Sequence, residues 1–94
     1  MIKRLIIYLL LFPAVVSAQI NTERVMAIGR NALYFEDYVL SIQYFNQVVS
    51  AKSYLHEPYF FRALAKINLD DYQGAEVDCS AAIERNPFVV NAYQ

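Results

Sequence analysis

Residues 57–87, EPYFFRALAKINLDDYQGAEVDCSAAIERNP, decide the fold. Pro58 near the start suits the first turn of a helix, because its missing N–H has no intrahelical partner there. Asn86-Pro87 closes the stretch. Proline cannot continue a helix and biases the residue before it away from helical backbone. Asp70-Asp71 supplies a polar break between the two ends. The stretch therefore predicts two helices, about 58–69 and 72–85, joined by a tight turn.

Moving outward, the same pattern recurs one unit earlier. Shifted by 34 residues, Asp37-Tyr38 falls on Asp71-Tyr72, Gly29 on Ala63, Ser41 on Ala75, Phe45 on Cys79 and Val48-Val49 on Ala82-Ile83. Val25 falls on Tyr59, and Tyr59 on Tyr93. Small residues meet small ones and apolar residues meet apolar ones, the mark of a repeat architecture. In the first unit Thr22 is the expected N-cap of a helix over 22–34, with Val25, Ile28, Ala32 and Phe35 as its apolar stripe. Glu36-Asp37 is the turn. A second helix over 38–51 carries Ile42, Phe45, Val48 and Val49 on one face, and residues 52–57 connect the units. Another helix is expected to open near Val90 or Asn91.

These residues resemble the tetratricopeptide repeat (TPR) family. The second unit carries the resemblance through Tyr59, Ala63, Asp71-Tyr72, Ala75, Cys79, Ala82 and Pro87. The first carries it more loosely through Val25, Gly29, Asp37-Tyr38, Ser41, Phe45 and Val48, with Ser53 in place of the proline. Asn91-Ala92-Tyr93 looks like the opening of a third unit. The resemblance implies an all-α fold of antiparallel helical hairpins stacked as a TPR-type α-solenoid. It holds two full repeats, about 22–55 and 56–89, plus the start of a third at 90–94.

Packing chemistry agrees with this reading. Small residues at Gly29, Ser41, Ala63, Ala75 and Ala82 let helices approach closely, while Tyr38, Phe45, Tyr72 and Ile83 are expected to fill the spaces between them. Cys79 takes the place of Phe45, which predicts a buried, inert thiol. Arg62 and Lys66 stand where apolar residues are usual in the family, so their stems are expected to snorkel along a looser packing surface.

The resemblance also implies a function. In such proteins the first helices of successive units line a concave face where peptides dock. Carried over by register, that face presents Met26, Arg30 and Tyr34 from the first unit and Phe60, Phe61, Leu64 and Asn68 from the second. Glu23, Leu33 and Glu57 lie beside them. The basic, Asn-rich clamp with which some members hold a terminal carboxylate is not reproduced, so an aromatic groove with one Arg is expected to grasp side chains. Phe60, Phe61 and Leu64 equally suit packing against a following repeat. The expectation is a non-catalytic scaffold that binds a protein or peptide partner. The alternative is an accessory module at the N-terminus of a larger exported enzyme or sensor.

Residues 1–18 read as a secretory signal, with Lys3 and Arg4 as a positive start, an apolar run over 5–12, Pro13, and Val16-Ser17-Ala18 as the cleavage site. A retained membrane anchor is the rival. The apolar stretch 5–16 is 12 residues long, whereas a spanning helix needs about 20. Cleavage after Ala18 predicts an exported, periplasmic protein that meets the membrane only through its signal. Residues 19–94 then form the helical domain, whose open C-terminal end offers a surface for self-association.

Other chemistries find little support. Loss of Lys3 and Arg4 with the signal moves the net charge from −1 to −3, the opposite of a nucleic-acid binder. One cysteine, Cys79, and one histidine, His56, fall short of the ligand set that zinc requires. Gly29 and Gly74 lie too far apart for a phosphate loop, and no serine has a recognisable His-based partner. No cofactor is expected.

Overall fold

The computed structural model describes residues 20–88. Four helices follow one another: α1 Thr22–Tyr34, α2 Tyr38–Ala51, α3 Glu57–Asn68 and α4 Tyr72–Arg85. They pack as sequential antiparallel pairs, α1 on α2, α2 on α3 and α3 on α4, and α1 also touches α3. All four expected helices are present within a residue of their predicted bounds. The expected signal at 1–18 and the third unit at 90–94 lie outside the described residues. Among the described residues no helix is long and apolar enough to cross a membrane.

Both hairpins turn in the same way. α1 ends with Asp37 N–H donating to the Ala32 carbonyl at 2.8 Å and Glu36 N–H to that of Leu33 at 3.0 Å. α3 ends with Asp71 N–H donating to Lys66 at 2.8 Å and Asp70 N–H to Ile67 at 3.0 Å. This is the paired-bond Schellman ending, which satisfies carbonyls a helix otherwise leaves open. It needs one residue in the left-handed region, and Glu36 (φ 65°) and Asp70 (φ 62°) supply it. The two lie 34 positions apart, so the sequence period is also a period of backbone geometry.

The helix starts correct one assignment. The N-cap of α1 is Asn21, not Thr22: the Asn21 side chain accepts the Arg24 N–H at 3.1 Å, and Thr22 is the first helical residue. Asp71 caps α4 in the same manner through Gly74 N–H at 3.0 Å. After α4, the Asn86 side chain accepts Phe88 N–H at 3.1 Å, and Pro87 and Phe88 already have helical backbone.

The core sits between the hairpins. Met26, Phe45 and Val48 form its centre, with Val25, Leu55 and Phe61 packed against it. Gly29 makes the closest crossing possible. A methyl group built there would lie 2.7 Å from Cε1 of Phe45, inside contact distance. Phe45 is fully buried and stacks on Phe61 of α3 with ring centres 6.0 Å apart. Ser41 and Ala75, Val48 and Ala82, and Gly29 and Ala63 are buried in both units, as their small-residue pattern predicts.

Several side chains depart from the reading by periodicity. The buried side of α1 is Thr22, Met26 and Gly29. Along the stripe, Val25, packed against the core, and Ala32 are half-buried, whereas Ile28 and Phe35 are exposed. Tyr72 and Ile83 are exposed rather than filling the interior, and the Tyr72 hydroxyl donates to Asp70 at 3.0 Å. Cys79 is half-buried, unlike its counterpart Phe45, because α3 covers Phe45.

Arg62 and Lys66 are not loose. Both aim at Asp78 of α4, which is 2 % exposed. Arg62 donates Nε to Oδ2 at 2.8 Å and Nη2 to Oδ1 at 2.6 Å, and Lys66 Nζ lies 2.9 Å from Oδ2. Arg62 Nη1 also donates to Asn46 of α2 at 2.8 Å. One guanidinium therefore joins three helices. Burial pushes the Asp78 carboxyl up, but the hydrogen bonds and charges of Arg62 and Lys66 together outweigh it and hold it below its ordinary value. The hydrogen bond to Asp78 raises Arg62 in turn, against the opposing effect of burial.

Candidate partner-binding groove

A groove of about 430 Å³ runs between α1 and α3. Its lining includes Met26, Arg30, Val48, Lys52, Leu55 and Pro58. The local sequence explains its shape. Pro58 starts α3 without needing a hydrogen bond, and it brings Glu57 to the groove's edge. Residues 52–57 then carry Leu55 back over Val48. The apolar floor is Met26, Val48, Leu55 and Pro58, and charged heads stand above it.

Arg30 is the most connected of these heads. Its Nη1 lies 3.6 Å from Glu57 Oε2, with both side chains about half exposed. Its guanidinium also sits 5.9 Å from the centre of the Phe61 ring. An ion pair this exposed contributes little, about 0–1 kcal/mol, so Arg30 can exchange Glu57 for a guest carboxylate at small cost. Phe61 meets Phe60 edge-on at 5.5 Å. Arg30, Phe60 and Phe61 thus form one aromatic and cationic ridge beside the groove.

The other predicted residues divide. Met26 borders the groove but is 7 % exposed and belongs to the core. Leu64 is half-buried. Asn68 is exposed and donates its side-chain amide back to the Leu64 carbonyl at 2.8 Å. Tyr34 stands at the far end of α1, 80 % exposed and edge-on to Phe35 at 5.2 Å. The structure therefore brings Met26, Arg30, Phe60 and Phe61 together. Tyr34 is set apart from the groove's lining.

Lys52 and Leu55 were missed by sequence reasoning, and periodicity had no means of finding them. They lie at and beyond the C-cap of α2, where no helical face can be projected.

No family model, curated protein or solved structure matches the chain. The functional reading therefore rests on the geometry and on the repeat pattern. Among the described residues no group of three or more His, Cys, Asp or Glu stands close enough to hold a metal ion. What the groove offers chemically is an apolar floor for one or two side chains, a cation–aromatic ridge, and Lys52 as a further positive charge.

Proposed function

We propose that the chain is an exported, non-catalytic TPR-type scaffold whose groove between α1 and α3 holds a peptide or protein partner in the periplasm. The observation that carries this reading is the recurrence of three-dimensional detail at the 34-residue period. The left-handed turn residues Glu36 and Asp70 repeat, with φ of 65° and 62°. The helix starts that follow repeat too: Asp37 has φ −91°, ψ 73°, and Asp71 has φ −89°, ψ 74°. Two hairpins with the same turn geometry, packed in sequence, leave a side formed by their first helices, and the groove lies on that side. Its mixture of apolar floor and charged rim suits side-chain recognition of a peptide.

The test is selection of ligands for the full chain from a random displayed-peptide library, followed by fluorescence anisotropy. Truncation of an aromatic anchor in an interface costs about 1–2 kcal/mol or more, so Phe60→Ala should weaken the selected peptides about tenfold while leaving helical content intact. A library that yields no binders, or peptides that bind Phe60→Ala as tightly as the parent, would refute the groove reading. Loss of helicity in the variant would place Phe60 in the packing instead.

A further inference from the structure

We infer that the outward stripe of α1 is a homodimer interface, in which two copies of this chain pair their α1 helices antiparallel about a two-fold axis. The starting point is a contrast between equivalent helices. On α3, the side that carries Tyr59, Arg62 and Lys66 is covered: Tyr59 is buried, and Arg62 and Lys66 are engaged by Asn46 and Asp78. On α1 the equivalent side is Val25, Ile28 and Ala32, continuing to Phe35. There Ile28 is 39 % and Phe35 70 % exposed, beside Val25 and Ala32, which are half-buried. The stripe lies on the side of α1 opposite Arg30 and Tyr34, so it is separate from the groove.

Charge identifies the occupant. The stripe itself carries no ionisable side chain. At its N-terminal end stands Arg24 and at its C-terminal end Glu36, both exposed. Neither side chain has an ion-pair partner among the described residues, although Arg30, Arg62, Lys66 and Arg85 all do. An apolar strip with opposite charges at its two ends is complementary to itself only when the second copy runs the other way. A two-fold axis across α1 then brings Arg24 of each copy to the end where Glu36 of the other stands, while the apolar strips cover each other. A parallel pairing would set like charges together. Antiparallel alignment also places each helix's positive end beside the other's negative end, and a two-fold pairing is isologous and closed, so it stops at a dimer.

The experiment is sedimentation velocity of the full chain over a range of concentrations, with circular dichroism as the check on folding. The parent should form a dimer, and Ile28→Glu should be monomeric with unchanged helical content. Arg24→Glu and Glu36→Arg should each weaken the dimer at least tenfold, and the double variant Arg24→Glu/Glu36→Arg should restore it. A parent that remains monomeric, an association that survives Ile28→Glu, or a double variant no tighter than the singles overturns the inference. Failure of these arms leaves the peptide groove untouched, since none of the substituted positions lies in its floor.

Discussion

Replacing Asp78 with Asn should remove most of the stability of this domain. The carboxylate is 2 % exposed and receives three short contacts: two from Arg62, at 2.8 and 2.6 Å, and one from Lys66 at 2.9 Å. Asparagine keeps the shape but turns one acceptor into a donor that faces a donor. At least one charge-assisted hydrogen bond is lost, which costs about 1.5–3 kcal/mol. Two neighbouring cations also lose their counter-charge, and breaking a buried pair from one side costs about 3–5 kcal/mol in all. Arg62 and Lys66 retain some access to water, with 16 % and 21 % of their side chains exposed, so the lower end, about 3 kcal/mol, applies. A domain this small holds roughly 3–5 kcal/mol. The melting temperature should then fall by about 12–24 °C, at 4–8 °C per kcal/mol, measured by far-ultraviolet circular dichroism. The pH dependence follows from the carboxyl's lowered pKa. Its stabilisation is complete above the unfolded-state value near 3.9 and is lost as pH falls through the lower folded-state value. The gap between parent and variant should therefore be the same at about pH 7 and 5 and close below about pH 4. A shift of less than about 2 °C at neutral pH, or a gap that closes well above pH 5, would refute the argument.

Gly29→Ala should destabilise the chain by about 1–3 kcal/mol, because the added methyl meets the fully buried Phe45 ring at 2.7 Å; urea unfolding measures it, and a stabilised variant would show that the ring can yield. Glu36→Gly should stabilise by about 0.5–1 kcal/mol, since φ is 65° there and glycine bears no penalty for that conformation; the same titration reads it. Cys79 should react slowly with iodoacetamide near neutral pH and much faster in urea. Burial, with the Asp78 charge assisting, raises the thiol's pKa and depletes the thiolate.

Helix count, order and bounds were legible because each boundary has local chemistry. Pro58, Asp70-Asp71 and Asn86-Pro87 act within a few residues of themselves, and the 34-residue recurrence doubles every signal. On α1, apolar spacing reports a side of the helix without saying what lies opposite it: Val25 reaches the core, Ile28 and Phe35 face outward, and Gly29 marks the buried side. Asp78 escaped notice because an acid in a helix reads as surface. Its signal was present in Arg62 and Lys66, four apart on α3, two cations on a side that needed a counter-charge. Of the groove, the ridge of Arg30, Phe60 and Phe61 followed from register. Lys52 and Leu55 did not, since the path of a connection is set by what it packs upon.

Arg62 also bears on how the molecule comes apart. Its guanidinium is bound at once to Asn46 in the first hairpin and to Asp78 within its own, so parting the hairpins breaks the Arg62–Asn46 bond and leaves the Asp78 clasp intact. Under load, the second hairpin should keep its Arg62–Lys66–Asp78 clasp after the seam between the hairpins has opened. The halves therefore differ in toughness: the latter carries a charged fastening of its own, and the former leans on apolar packing against its neighbour.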